Sequence, residues 1–248
     1  MGKKYNIIIS LGEDCACSSY LRRHKLQFLS FPFDWLTNAT LKQRFDLILN
    51  NFDNFLNIED LKFLEKDLNV KNDNDCDYYE NIRNGFYHYH DFPVNKNLED
   101  AFDEAKAKYN RRIARFYDKI KESEKILFVW LSHLKNNDDA MIKNKHDEIC
   151  QKFAKNIDLL IIENDKSKKG TDIIEEVIIS DNITRYALDT ASFDISKDQT
   201  LGNILNCNKI FVKYKLKLPL LFIVKNKVEK MKKKIVKKIN KIFHASKN

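Results

Sequence analysis

The chain has 248 residues, of which 43% are hydrophobic and 12% aromatic, so it is long enough to bury one sizeable core. Its five glycines and three prolines exclude a collagen-like chain and a proline-rich disordered chain. The net charge of +8 is uneven, because residues 209–248 carry 14 lysines and one glutamate (+13), which leaves −5 for residues 1–208. A basic tail of this kind suits an acidic partner such as anionic lipid or nucleic acid.

The elements predicted along the chain alternate between strands and helices. Residues 6–10 form a short β-branched run that predicts a buried strand, and a helix over 15–24 follows, with Asp14 as its N-cap. The later predicted elements are helices over about 38–50 and 58–68, a hairpin over 78–93 turning at Asn84-Gly85, a helix over 97–123, a buried strand over 125–133, a helix over about 139–155, a buried strand over 157–164, a helix end or strand over 172–180 and a strand over 183–190.

This order predicts an α/β fold in which helices sandwich a mainly parallel sheet and the β-hairpin is an insertion. We assign residues 1–208 to this α/β catalytic-type domain and residues 209–248 to the basic tail, which ends the fold as a C-terminal amphipathic helix.

The tail has the pattern of a basic amphipathic helix. Its apolar residues recur at spacings of three and four: Val224, Val228, Met231, Ile235, Ile239 and Ile242. Lysines fill the other face, so we predict binding to an anionic membrane surface through residues 219–243, with about 1 kcal/mol from each lysine near the surface. A helix docked on the body with a solvated lysine face is the alternative. The predicted helix lacks arginine and has few aromatic residues, which argues against nucleic-acid binding.

The cysteines and the lack of targeting patterns predict a cytoplasmic protein, which the basic tail would place peripherally on the inner face of the membrane. The five cysteines are odd in number and irregular in spacing: Cys15, Cys17, Cys76, Cys150 and Cys207. We therefore predict reduced thiols, and the lone C-x-C pair without a second pair argues against zinc. The apolar run after the first residues is too short for a signal peptide, and no run reaches the roughly 18 residues of a membrane span.

Cys15 is the candidate nucleophile. It opens the predicted helix just after the tight turn at Gly12, where backbone N–H groups and the positive end of the helix dipole favour a thiolate. The turn would expose the side chain at the carboxyl edge of the sheet, where α/β folds place their sites. Glu13 and Asp14 oppose the stabilisation of the thiolate, because nearby negative charge raises the pKa of a thiol. A small buried apolar residue is the alternative for Cys15, and we take Cys17 as structural.

His90 is the candidate base, with Asp91 beside it. Along a regular strand, His88 and His90 share one face, but a third ligand for a metal is missing. The reserve base is His133, which ends a predicted strand and would lie at the carboxyl edge of a parallel sheet.

Asp34 or Asp91 could orient the base as the third group of a triad does. A loop-capping role is the alternative for Asp34, and Arg22 and Arg23 could pair with it or with an anionic substrate. We read Arg111 and Arg112 as a solvated helix face. The predicted substrate-binding residues are Gly12, Arg22, Arg23, Trp35 and His133.

Several of these motifs together resemble a bacterial family of uncharacterised proteins labelled putative papain-like cysteine peptidases. The resemblance rests on Ser10, Leu11, Gly12 and Cys15; on Leu21, Arg22 and Arg23; on Pro32, Phe33, Asp34 and Trp35; on His90, Asp91 and Phe92; and on Arg111 and Arg112. It covers residues 6 to about 165 and excludes the tail. It implies a peptidase with Cys15 as nucleophile and His90 as base, and a loose association with cell-surface polysaccharides. A strand–turn–helix nucleophile is also typical of hydrolases and acyl transferases of α/β type.

These patterns lead to three functional hypotheses. The first is a thiol hydrolase or acyl transferase at the membrane surface, in which backbone amides of Cys15 and Ala16 stabilise the oxyanion and no cofactor or metal is needed. The second is a transferase for cell-surface polysaccharide that binds phosphate or nucleotide at the turn over residues 10–15. The third is a non-enzymatic membrane-tethered module in which Cys15 and His90 are both structural.

Overall fold

The computed structural model describes residues 2–66, 76–134, 137–168, 174–190 and 202–217. The chain divides into two units, Met1–Leu216 and Lys217–Asn248, and the helix predicted over 219–243 lies outside the described residues. The elements of the first unit are, in chain order, β1 (Lys3–Tyr5), β2 (Ile7–Ser10), α1 (Cys15–Arg23), β3 (Leu36–Thr37), α2 (Leu41–Leu49), β4 (Leu61–Lys66), β5 (Cys76–Asn81), β6 (Phe86–Pro93), α3 (Leu98–Glu122), β7 (Ile126–Leu131), α4 (Asp139–Phe153), β8 (Ile157–Asn164), β9 (Glu175–Ser180), β10 (Ile183–Leu188), α5 (Ile204–Phe211) and β11 (Tyr214–Leu216).

The fold is mixed α/β, and its largest described sheet is mostly parallel. Its strand order is β2-β7-β8-β10-β9, in which the first four strands run parallel and β9 pairs antiparallel with β10 at the edge. The parallel strands are buried runs rich in β-branched residues, as strands covered on both faces are. Their carboxyl ends meet at one edge, which brings the turn after β2 beside the end of β7.

Side chains of the sheet alternate between two separate cores. Ile9 and Phe128 point into a core that also contains residues of α2, α3 and α4. Ile8 and Val129 point into the other core, which contains residues of α1 and α5. This alternation follows from the two-residue period of a strand.

A second described sheet is antiparallel and has the strand order β3-β6-β5-β4. The segment 82–85 joins β5 to β6, and Gly85 there adopts a positive φ of 75° that glycine tolerates best. The prediction of a helix over 58–68 is wrong, because a short 3-10 helix, Ile58–Asp60, leads into β4. A short apolar run fits both structures, and pairing with β5, where the rings of Phe63 and Tyr79 contact each other, decides for a strand.

The body of the protein extends past the boundary predicted at residue 208. Helix α5 crosses that position, and β11 pairs in parallel with β1, so residues up to Leu216 belong to the first unit. Within the described part of the chain, no helix is both long and apolar enough to cross a membrane.

Candidate functional site

Cys15 is the first residue of α1, as predicted, and its side chain is partly exposed. The carboxylate of Asp14 caps the helix by accepting a hydrogen bond from the Ala16 amide at 2.7 Å. The thiol therefore lies in the first helical turn, where the positive end of the helix dipole stabilises a thiolate. The Ala16 amide is already bound by Asp14, so its predicted role as an oxyanion donor is wrong for this arrangement.

Gly12 lets α1 approach the end of β2 closely. A Cβ atom at Gly12 would lie 2.1 Å from the Cβ of Cys17, which no side chain could accommodate without a shift of the helix. Cys17 itself is fully buried, and its sulfur lies 3.4 Å from the carbonyl oxygen of Val129. Burial raises the pKa of the Cys17 thiol to about 12, which leaves it unreactive and agrees with a structural role.

The side chain of Glu13 ties the turn before Cys15 to the loop after β7. Its Oε2 accepts hydrogen bonds from Ser132 Oγ at 2.6 Å, from the His133 amide at 3.1 Å and from the Leu134 amide at 3.2 Å. Glu13 is buried, so these donors replace the water that its carboxylate would otherwise bind. No sequence pattern marked Glu13 for this role, because its partners lie about 120 residues away.

Arg44 holds the same turn through a hydrogen bond to its backbone. It is fully buried, its Nη2 donates to the carbonyl oxygen of Glu13 at 3.1 Å, and its guanidinium lies 4.7 Å from the ring centroid of Phe86. Burial lowers the pKa of Arg44 to about 9, although Glu13 and Asp14 act in the opposite direction. Sequence analysis missed Arg44, because nothing in a single amphipathic helix distinguishes a buried arginine from a surface one.

Asp34 is fully buried and holds Arg22 rather than an imidazole. Its Oδ2 accepts from Arg22 Nη2 at 3.0 Å and from the Phe31 amide at 3.1 Å, and Gln27 Nε2 donates to both carboxylate oxygens at 2.8 and 2.9 Å. Burial raises the pKa of Asp34, against the lowering effects of Gln27, the Phe31 amide and Arg22. The prediction that Asp34 orients His90 is thus corrected: Asp34 positions Arg22.

The segment that begins at Asp34 runs beside the start of α1. Ser18 Oγ donates to the Asp34 carbonyl oxygen at 2.6 Å, and the Asn38 amide donates to the Glu13 carbonyl oxygen at 3.1 Å. Cys15 lies between these two attachment points in the sequence, so residues 34–38 flank the first turn of the helix.

The partly exposed face of α1 carries Cys15 and Arg22, and Trp35 and His90 lie next to it beyond Arg22. Cys15 and Arg22 are seven residues apart, which places both on this face, and both are partly exposed. The Arg22 guanidinium lies 5.6 Å from the centroid of the Trp35 ring. The Trp35 ring in turn meets the exposed His90 ring edge-on, with centroids 6.3 Å apart and an interplanar angle of 87°. Arg23, the next residue of α1, is exposed.

A β-bulge separates the two histidines of β6. Asp77 pairs with Phe92 and Tyr79 pairs with His88. The paired residues are therefore two positions apart on β5 but four positions apart on β6, so β6 contains the extra residues of the bulge. His88 is consequently fully buried while His90 is exposed, and the prediction that both share one face is wrong. Bulges break the alternation of a strand and re-aim side chains, often beside functional sites.

Asp91 orients His88 and not His90. Its Oδ2 accepts from His88 Nδ1 at 2.6 Å and from the Tyr109 hydroxyl at 2.7 Å, and its Oδ1 pairs with Lys108. Although burial opposes ionisation, His88 and Lys108 lower the pKa of Asp91 far below its usual range. The predicted His90–Asp91 pair is therefore replaced by a buried His88–Asp91 pair.

His133 lies at the carboxyl edge of the parallel sheet beside Asp14. Burial raises the pKa of Asp14, and the charge of His133 acts in the opposite direction, so the imidazole lies within electrostatic range of the residue preceding Cys15. A Cβ atom at Gly202 would lie 2.7 Å from Cε1 of His133. Both ring nitrogens are enclosed, and neither has a hydrogen-bond partner among the described residues.

Arg112 departs from its predicted place on a solvated helix face. Arg111 is exposed, but Arg112 is half-buried, and its guanidinium lies 5.5 Å from the ring centroid of Tyr109. In the described part of the chain, no group of three or more His, Cys, Asp and Glu side chains is placed to hold a metal ion.

Comparison with known proteins identifies the family. The family model described as "Putative papain-like cysteine peptidase (DUF1796)" matches residues 6–163, which include Cys15 and His90. "Uncharacterized protein R408" of Acanthamoeba polyphaga mimivirus is 29% identical in an alignment of 134 residues that covers 50% of this chain and 60% of that protein. The chain therefore spans less than two thirds of this relative. No solved structure matches. Since the family model covers more than half of the chain, the protein belongs to the family described as putative papain-like cysteine peptidases.

Proposed function

We propose that the protein is a thiol-dependent hydrolase with Cys15 as its nucleophile. The observation that carries this proposal is the position of a partly exposed thiol in the first turn of α1, directly after a buried parallel strand. The helix dipole favours the thiolate there, and the family description is consistent with cysteine peptidase chemistry. A peptide or related acyl compound is the corresponding substrate.

The proposed reaction needs one base. The Cys15 thiol gives its proton to an imidazole, the sulfur attacks the substrate carbonyl carbon, and the imidazolium returns the proton to the leaving group. Water then hydrolyses the resulting thioester, and an acceptor other than water would make the same residues an acyl transferase. We assign the base to His90, because Trp35 connects it to the face of α1 that carries Cys15. His133, which acts electrostatically on Asp14 and whose backbone amide bonds Glu13, is the competing base.

Alkylation of the thiol by iodoacetamide tests this proposal. An ordinary thiol with a pKa near 8.5 is about 1% thiolate at pH 6.5, so an activated Cys15 should react roughly tenfold or more faster than a free cysteine at that pH. The fast phase should disappear in Cys15→Ala. His90→Ala and His133→Ala identify the base by which one slows the reaction below pH 8, with His24→Ala as the control. Reaction of Cys15 at the rate of free cysteine would overturn the proposal.

We further propose that the lysine-rich tail holds the protein on an anionic membrane surface. The support is the sequence pattern alone, with 14 lysines and one glutamate in residues 209–248. Full-length protein should sediment with vesicles containing 30% phosphatidylserine at 0.1 M NaCl, and it should be released at 0.5 M NaCl or with phosphatidylcholine alone. Equal binding to neutral and anionic vesicles, or no binding, would contradict this proposal.

A further inference from the structure

Arginines of α1 and α3 meet at the loop that precedes β3, and a third arginine lies one turn away on α3. Arg22 of α1 donates from Nη2 to Ser30 Oγ at 3.1 Å and to Asp34 Oδ2 at 3.0 Å. Arg115 of α3 donates to the Ser30 carbonyl oxygen at 2.7 Å. Arg112, one turn earlier on α3, acts electrostatically on Asp34. All three side chains are half-buried, so solvent screens their charges only in part.

Two of these guanidinium groups have an N–H that no described residue accepts. Nε of Arg22 and Nη1 of Arg112 are both enclosed, and neither has a hydrogen-bond partner within the described ranges of the chain. An enclosed donor without an acceptor is rare in folded proteins, and each instance points to a missing water, ion or ligand.

The local charge balance is positive. Asp34 is the carboxylate that pairs with Arg22 and that Arg112 acts on electrostatically, and its oxygens are already bound by Arg22, Gln27 and the Phe31 amide. The other nearby carboxylate, Asp91, is paired with His88 and Lys108. Asp34 therefore neutralises one guanidinium group, that of Arg22, while Arg112 has no carboxylate partner among the described residues. A planar guanidinium with an unpaired N–H matches the oxygens of a carboxylate or phosphate.

We propose that Arg22 and Arg112 bind an oxyanion, a carboxylate or a phosphate, carried by the substrate. Trp35, which lies against Arg22, forms the apolar side of this subsite. Arg22 lies seven positions after Cys15 on α1, a rise of about 10 Å, so the anionic group lies about 10 Å from the bond that the thiol attacks. The link to Cys15 rests on the proposed function, whereas the oxyanion subsite itself does not.

Calorimetric titration of the full chain with inorganic phosphate and, separately, with glutarate tests the subsite in 0.15 M NaCl. Arg112→Gln is the informative variant, because among the described residues Arg112 makes no ion pair whose loss would strand a buried carboxylate, whereas Arg22 pairs with Asp34. Arg111→Gln is the matched control, since it removes the same charge from the exposed neighbouring position. The lysine-rich tail is identical in all of these proteins and contributes equally to each.

The expected result is saturable binding of one of the two anions to the wild-type protein and to Arg111→Gln, with at least tenfold weaker binding to Arg112→Gln and partial recovery in Arg112→Lys. The preferred anion distinguishes a phosphate from a carboxylate substrate. Equal affinities in Arg111→Gln and Arg112→Gln, or no saturable binding, would overturn the subsite. Cys15→Ala should bind the anion like the wild-type protein, so a failure of the thiol chemistry and a failure of the subsite are observed separately.

Discussion

Replacing Asp34 by asparagine should destabilise the protein without changing the shape of the side chain. The carboxylate accepts hydrogen bonds from Arg22, Gln27 and the Phe31 amide. An asparagine that keeps its oxygen at the Oδ2 position directs its NH2 group at Gln27 Nε2, 2.9 Å away, so two donors face each other. Gln27 cannot simply rotate its amide, because its Oε1 accepts from the Ser10 amide at 3.2 Å.

The cost follows from these contacts. A hydrogen bond to a charged group contributes about 1.5–3 kcal/mol, and an unsatisfied buried donor costs about 1–3 kcal/mol. The Arg22 side chain is 32% exposed, so solvent screens part of the lost ion pair. We therefore expect Asp34→Asn to lower the free energy of unfolding by roughly 3 kcal/mol, which corresponds to a fall in Tm of roughly 6–12 °C.

Urea denaturation followed by circular dichroism measures this change, and Asp46→Asn is the matched control. Asp46 pairs with Lys42 and Lys145 but is 37% exposed, so its replacement should cost less than about 1 kcal/mol. If Asp34→Asn costs no more than Asp46→Asn, the contacts of Asp34 do not stabilise the loop and the reasoning fails.

Two further predictions concern packing and pH. Gly12→Ala should lower the free energy of unfolding by about 1–3 kcal/mol, because the new Cβ would lie 2.1 Å from Cys17 Cβ. The shift of α1 should also accelerate the labelling of Cys17 by a thiol reagent. An unchanged labelling rate would show that the packing of α1 does not depend on the glycine. Burial lowers the pKa of His146, whose Nε2 lies 2.6 Å from the Ile157 carbonyl oxygen, so the unfolded chain binds a proton below about pH 6.5 before the folded chain does. The contribution of His146 to stability is therefore full above pH 6.5 and is lost as the pH drops through the folded-state pKa. His146→Gln should remove this part of the pH dependence of the urea midpoint. The same slope of urea midpoint against pH in both proteins would contradict the assignment.

The candidate site divides between what local sequence signals predict and what they miss. The strand at 6–10, the cap at Asp14 and the helix that begins at Cys15 were predictable, because each depends on residues within a turn or two of itself. The partners of Glu13 were not predictable, because Ser132 and His133 lie about 120 residues away and meet Glu13 only when β2 pairs with β7.

The fate of the histidines shows the same division. The sequence by itself determined that β6 is a strand containing two histidines beside an aspartate. Only the tertiary structure decided that a bulge buries His88 against Asp91 and exposes His90 to Trp35, because a bulge depends on the register with β5 and not on β6 alone. The sequence likewise supplied the arginines of α1 and α3, whereas the packing of both helices against the loop at Ser30 decided that Arg22 and Arg112 lie near one buried carboxylate. Local signals fix which elements form, and contacts between distant elements fix which side chains share a site.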